Sequence, residues 1–367
     1  MDAVRAVIDA LADHPVVAIG ESHNLREAGA FYEALVANDE FARAADVVVV
    51  EFGNARYQSV VDRYVAGGDV SVARLRKVWQ DTTQVGAWDA PMYEGLFDAV
   101  REANVDRPPS ERLRILLGDP PIDWTAIVRP SQVERYLRSR ESFMARLIER
   151  EVIDRQRRAV VIAGLAHVER IARGGSRPNV TGMLDERSPG SVFVIGTHLG
   201  FPLGAWEQRL GSWPAPSIAS LEGTWIGLLP KGEGLAQDAF DAMLYVGPPD
   251  SLHLSIPLPD VYLVPGYWET LQARWSLEGL GSFSAEALFS AFTDAGYPGL
   301  FTAEGIEATR SFAACMRSNG VEAFPAPQYQ YDSVGFYGSD VQQASDDPDF
   351  PTAQEACFEA SASAPGP

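Results

Sequence analysis

The 367-residue chain carries 50 acidic against 30 basic side chains, a formal net charge of −20, with 46% hydrophobic and 10% aromatic residues. Such a composition describes a globular protein with a full core, long enough for one large α/β domain with an appendage or for two domains. The acidic balance argues against a nucleic-acid or anionic-lipid partner, since both need surfaces rich in Lys and Arg. No apolar run is long enough to span a membrane.

Val4, Val7, Ile8 and Leu11 recur at helical spacing. The first residues lack the basic start and long apolar core of a signal peptide, so the chain is expected to be cytoplasmic or a mature form without its leader. Val16-Val17-Ala18-Ile19 reads as a short buried strand. Gly20 is expected to turn the chain, and Glu21, Ser22, His23, Asn24 and Arg26 follow before the helical pattern Phe31, Leu35, Val36. Open α/β sheets place their chemistry where a strand ends ahead of a helix. The grammar recurs at Val47-Val48-Val49-Val50, which ends in Glu51-Phe52-Gly53-Asn54. Ala55 to Asn104 reads as mostly helical and is too long for a single crossover, so a cap over the sheet edge is expected. Its Tyr57, Trp79, Trp88 and Tyr93 serve either as aromatic pocket walls or as packing of a helical layer.

A third strand, Leu113 to Leu117, leads to Asp119 in a loop stiffened by Pro120 and Pro121. Ser131 with Glu134 predicts a capping box for one long helix to about Arg158. Val133, Leu137, Met144 and Ile148 would mark its inner face, and its arginines a solvated outer face. The fourth strand, Ala159 to Ala163, runs into Gly164-Leu165-Ala166-His167; the fifth, Ser191 to Ile195, runs into Gly196-Thr197-His198; a sixth is Ala242 to Val246. Strands alternating with helical stretches predict an α/β fold, a mostly parallel central sheet with helices on both faces. Residues 1–300 are expected to form this domain, with 55–105 as its helical cap. Residues 301–367 are expected to be a small cysteine-containing module ending in a disordered stub.

All of the first five strands end in polar residues: Glu21 with His23, Glu51, Asp119, His167 and His198. In a parallel sheet these ends share one edge, so they converge on one crevice. Glu21, His23, Glu51 and His167 are the candidate catalytic set; Arg26, Asn54, Asp119 and His198 are candidate substrate-binding residues. Two carboxylates and two imidazoles support two chemistries. They can hold a divalent metal such as Zn, Mn or Fe. Alternatively, His23 or Glu51 deprotonates a water, with a partner acid fixing the imidazole tautomer and His167 as a second polariser. Arg26 would hold a substrate carboxylate or an oxyanion, or else pair with Glu27. His198, taken alone, weighs toward a loop-tying role. No Gly-x-Ser-x-Gly elbow, phosphate-binding loop, His-Glu-x-x-His or dinucleotide fingerprint is present. Cys315 and Cys357 are either a disulfide or two unrelated buried thiols.

Gly20-Glu21, Glu51 and Gly164-Leu165-Ala166-His167, in that order, resemble the superfamily that joins erythromycin esterases, ChaN haem-binding lipoproteins and the Tiki and TraB proteins. Gly20-Glu21-Ser22-His23-Asn24 looks most like the Gly-Glu-x-His-Asp/Asn form of the ChaN branch, one residue shorter than the Gly-Glu-x-x-His of the esterases. The esterase and Tiki likeness implies attack of water on an ester or amide of a small-molecule or peptide substrate. The ChaN likeness implies haem or iron binding without turnover. Cys315-Met316-Arg317, with the later Cys357, resembles a Cys-Met-Arg motif of uncharacterised bacterial exported proteins, which implies a Cys315–Cys357 disulfide and an extracytoplasmic location.

Overall fold

Runs of valine without a polar residue have no side to show to water, and they become the central strands of a sheet buried on both faces. The computed structural model describes residues 1–170, 178–201, 203, 207–231, 234–248, 251–253, 255, 261, 264–278, 303–325, 328–330, 333–335, 344 and 347–362. The chain divides into two units, residues 1–88 with 92–255 and residues 89–91 with 256–367. The boundary therefore falls ahead of residue 300, because the helix that begins at Tyr267 joins the second unit, where its Tyr267 hydroxyl donates to Asp89.

Among the described residues, the main sheet of the first unit has seven strands: β1 (Val16–Glu21), β2 (Val47–Asn54), β3 (Arg114–Asp119), β4 (Ala159–Gly164), β5 (Val192–Thr197), β6 (Ser217–Ser220) and β7 (Ala242–Tyr245). Their order across the sheet is β3-β2-β4-β1-β5-β7-β6. All pairings are parallel except the edge pair β6–β7. The fold is α/β, with a mostly parallel central sheet and packed helices. β6, Ser-Ile-Ala-Ser, is too short and too polar to announce itself in the sequence. Its outer edge is stitched to the first residues: Met1 accepts from the Ile218 N–H at 3.0 Å and its amino group donates to the Ile218 carbonyl at 3.2 Å. The opposite edge, β3, is closed by a side chain. Gln58 donates to the Ile115 carbonyl at 2.7 Å and accepts from the Leu117 N–H at 3.0 Å, much as a neighbouring strand would.

Gly20 does not turn the chain; β1 continues through it to Glu21. The glycine is needed for packing, since a Cβ there would lie 2.6 Å from Leu165 Cδ1 and 2.8 Å from Val168 Cγ2.

The α-helices up to Arg187 are α1 (Ala3–Asp13), α2 (Arg26–Ala37), α3 (Asp39–Ala44), α4 (Gln58–Val65), α5 (Val72–Gln80), α6 (Pro91–Ala103), α7 (Pro130–Leu137), α8 (Arg140–Ile148), α9 (Leu165–Val168) and α10 (Val180–Arg187). The long helix expected to Arg158 is thus broken. α7 starts with Pro130 in its first turn, and Gln132, not Glu134, reaches back to the Arg129 N–H at 3.1 Å. At its end the Ser139 hydroxyl donates to the Tyr136 carbonyl at 2.9 Å, a local bond that competes with helix continuation. α8 restarts at Arg140 and ends in a π-helical turn, Glu149–Ile153. Val133, Met144 and Ile148 are buried as expected, and Leu137 is half-buried. One core packs Val16, Ala18, Val47, Val49, Val161 and Ala163 of the sheet with α8 and α10.

In the second unit, helix Ala303–Ser318 and helix Phe350–Ala362 pack through Ala313, Met316, Ala353 and Cys357, with Val321 and Phe324 closing the cluster. Cys315 and Cys357 are disulfide-bonded across these helices. The terminal residues 363–367, expected to be disordered, lie outside the described residues. The bond spans 42 positions in sequence, for which loop-closure entropy gives roughly 4 kcal/mol of stabilisation. Thiol titration of the denatured, unreduced protein is expected to find no free thiol. Cys315→Ser is expected to lower the unfolding midpoint of the second unit, read by calorimetry.

Candidate functional site

The register of the sheet decides which strand-end side chains can meet. Val50 and Ile19 both pair with Ile162, and Glu21 pairs with Gly164. Strand side chains alternate between faces, so Glu51 follows the Val49 face, under α8, while Glu21 leaves on the other face beneath α6. β4 runs between them. At its end stands Gly164, where a Cβ would come 2.7 Å from His23 Cε1, 2.8 Å from His23 Nε2 and 3.3 Å from Glu51 Oε2. The two halves of the site approach each other over this missing side chain.

Glu51 is fully buried. Its Oε2 accepts from the Gly164 N–H at 2.6 Å, and its Oε1 pairs with His167 Nε2 at 3.0 Å and with the Arg140 guanidinium. Burial alone would push this carboxyl up, but the bond to and charge of His167, with Arg140, hold it far below the usual carboxylate range. His167 is enclosed between acids: Nε2 on Glu51 and Nδ1 on Glu141. Burial would lower it, yet the Glu141 and Glu51 bonds raise it to about 9, so it is an imidazolium at neutral pH. Arg140 also donates to Gln84 at 2.7 Å and lies 3.4 Å from Asp119.

Across Gly164, His23 Nδ1 bonds Glu21 Oε1 at 2.7 Å. His23 Nε2 has no hydrogen-bond partner among the described residues, and the ring is 43% exposed in a cleft of about 330 Å³ that His167 also lines. An edge-to-face contact with Trp88, 4.9 Å between centroids, fixes the ring plane. Burial would lower His23, but its bond to Glu21 and the charge of Glu21 leave it above the ordinary histidine value. Burial raises Glu21, only partly offset by His23.

Tyr93 gives this dyad a direction. Its hydroxyl accepts from the Asn24 N–H at 3.1 Å, so its single proton points to Glu21 Oε1 at 3.4 Å. Asn24 has φ +61°, a left-handed turn that asparagine tolerates better than most residues and that aims this N–H.

The other expected site residues are placed apart from this centre or serve the scaffold. Asn54 is buried and fully engaged, donating to the Asp81 and Ile122 carbonyls and accepting from the Arg56 N–H. Asp119 accepts from the Thr83 N–H at 2.8 Å and from its hydroxyl; burial raises its carboxyl to about 7 against the pull of Arg140 and Thr83. His198 is buried edge-on to Tyr245 at 5.0 Å, and burial lowers it to about 4, leaving it neutral. Arg26 is exposed, with no ion pair to Glu27 or another acid among the described residues; Glu27 instead holds His253. Arg140 and Glu141 went unread in the sequence. Neither has a local signal, and Arg140 stands among arginines that do face solvent. Trp88 and Tyr93, read as possible walls, touch the dyad itself.

A parallel α/β sheet with a carboxylate–imidazole dyad and a buried ion cluster at its carboxyl edge is the class this fold and site define. A family model described as "Haem-binding uptake, Tiki superfamily, ChaN" matches residues 7–107. Among solved structures, the erythromycin esterase EreC in its open conformation aligns at 11% identity and TM-score 0.45, over 66% of this chain and 92% of that one. A Bacillus cereus protein aligns at 11% identity and TM-score 0.46, over 66% and 91%. ChaN of Campylobacter jejuni, solved for its cofacial haem binding, aligns at 11% identity and TM-score 0.37, over 65% and 90%. No curated protein matches the sequence significantly. The family description matches the superfamily that the strand-end motifs resemble.

Among the described residues no group of three or more His, Cys, Asp or Glu side chains is set to hold a metal ion. The set Glu21, His23, Glu51 and His167 shows why: Glu51 already answers two cations and an N–H, and both His167 nitrogens are occupied. Nor do the lining residues fit an enclosed haem. Only His23 offers a free ring nitrogen, and the apolar wall amounts to Leu165, Ala166 and Leu199.

Gly164→Ala is expected to drive His23 from Glu51 and to cost about 1–3 kcal/mol, read by urea unfolding. His167 has its folded value raised to about 9 from an unfolded value near 6.5. Its contribution is therefore complete below pH 6.5 and lost as pH rises through 9, at most about 3 kcal/mol. Unfolding free energies at pH 6.5 and 9.5 are expected to differ in the wild type and far less in His167→Gln.

Proposed function

We propose that the chain is a hydrolase of esters or amides in which His23 is the general base. The observation that supports this reading best is the dyad itself: buried Glu21 holds His23 Nδ1 at 2.7 Å and leaves Nε2 at the cleft. Glu21 fixes the tautomer with the basic nitrogen outward, the arrangement that general-base catalysis needs. Glu51 is the poorer base, because His167, Arg140 and the Gly164 N–H stabilise its ionised form.

In this reading His23 Nε2 takes a proton from a water, whose oxygen bonds to the substrate carbonyl carbon. The tetrahedral adduct collapses, the bond to the alcohol or amine breaks, and His23 returns the proton to that leaving group. His167, positive and held on the cleft wall, supplies the favourable charge near the developing oxyanion. Thr197 and Ser22 share a hydrogen bond of 3.2 Å beside the dyad, and Ser22 is not aligned as a nucleophile by any histidine contact among the described residues.

His23→Ala is expected to lower kcat/KM on p-nitrophenyl esters by about 10²–10⁴-fold with the fold retained, read by circular dichroism. Activity requires neutral His23, whose value is raised above 6.5, so wild-type kcat/KM should climb with pH through a midpoint above 6.5. An absorption band on adding haemin, lost in His23→Ala, with no turnover of ester and peptide panels, would replace this reading with haem binding.

A further inference from the structure

The cleft lined by His23 and His167 is also lined by the less polar group Leu165, Ala166, Leu199 and Gly200. Leu199 is 44% exposed, a large apolar side chain held toward water in the short helical turn His198–Gly200. Leu165 lines the cleft and packs against the core, with its two methyl groups seated against two glycines. A Cβ at Gly20 would come 2.6 Å from Leu165 Cδ1, and one at Gly200 would overlap Cδ2. The wall is anchored from behind as well. Lys231 Nζ donates to the Gly200 carbonyl at 2.7 Å, pairs with buried Glu169 at 3.3 Å and sits over the Phe240 ring.

A side chain seated on both flanks sets a depth, not merely a hydrophobic surface. We propose that Leu165 determines specificity by setting the length of a short, uncharged, unbranched apolar chain that lies on the Leu165–Leu199 shelf with its carbonyl toward His23. A charged chain would lose solvation there without a partner on the shelf. A longer one would meet Leu165, whose two methyl groups already lie close against Gly20 and Gly200. The kinetic part of this proposal rests on the hydrolase reading; the shelf itself does not.

The test uses the full chain, a series of p-nitrophenyl esters from acetate to octanoate, and binding of the neutral amides butanamide to octanamide followed by methyl NMR of Leu165 and Leu199. Wild type should prefer short acyl chains. Leu165→Ala should move the optimum at least two carbons longer, by roughly fourfold in kcat/KM per methylene newly accommodated. Leu199→Ser, at an exposed position, should flatten the dependence on chain length, and Leu165→Val replaces Leu165→Ala if the latter does not fold. Ester turnover with an unmoved optimum in these variants overturns the proposal. If wild type turns over no ester, yet amide affinity depends on chain length and Leu165→Ala extends the range, the shelf stands and the hydrolase reading falls. Amide affinity that ignores chain length in all proteins, or no amide binding, overturns the shelf.

Discussion

A fully buried carboxylate must find compensating charge, and at Glu51 that requirement organises everything around it. Leaving such a charge unpaired costs several kcal/mol, so α8 has to restart where Arg140 reaches it and α9 has to turn His167 inward. Those two cations create requirements of their own. Arg140 takes up Gln84 and approaches Asp119, which in turn fixes Thr83. His167 takes up Glu141, whose other oxygen accepts from the Val180 N–H at 3.1 Å and so positions the start of α10. One acid thereby ties β2, β3, α8, α9, α10 and the loop after α5 into a single polar frame.

The two strand-end glutamates have opposite fates because they leave opposite faces of the sheet. Glu51 enters a cluster of cations and is locked in its ionised form. Glu21 enters an aromatic layer where its main partners are His23 and the Tyr93 hydroxyl, and burial raises it. Environments that push two carboxyls apart mark a division of roles. Here one carboxylate maintains the frame and the other tunes an imidazole.

The strands were readable because parallel strands buried on both faces must be apolar throughout, and Val47–Val50 and Ala159–Ile162 could be little else. The acids and imidazoles that close them were readable for the same reason, as abrupt polar stops in apolar runs. What stayed hidden depends on tertiary contact. Arg140 looks like its solvated neighbours, and only the fold reveals the acid it meets. The break at Ser139 is a single hydroxyl bond, invisible in a hydrophobic pattern that runs on through Val133, Met144 and Ile148. Gly20 was misread because a glycine after a strand usually turns the chain, whereas here it makes room for Leu165. β6 has one buried aliphatic of any size, Ile218, and gave no period to recognise.

The two edges of the sheet carry a consequence for association. A parallel sheet offers at each rim a row of unpaired amides and carbonyls, a template on which another chain can add a strand. In this unit one rim is answered by the amide of Gln58 and the other by the backbone of Met1 and Asp2. Neither answer is regular enough to be continued by a further strand. Strand addition at either rim has to displace the bonds of Gln58 or of Met1 before new ladder bonds can form.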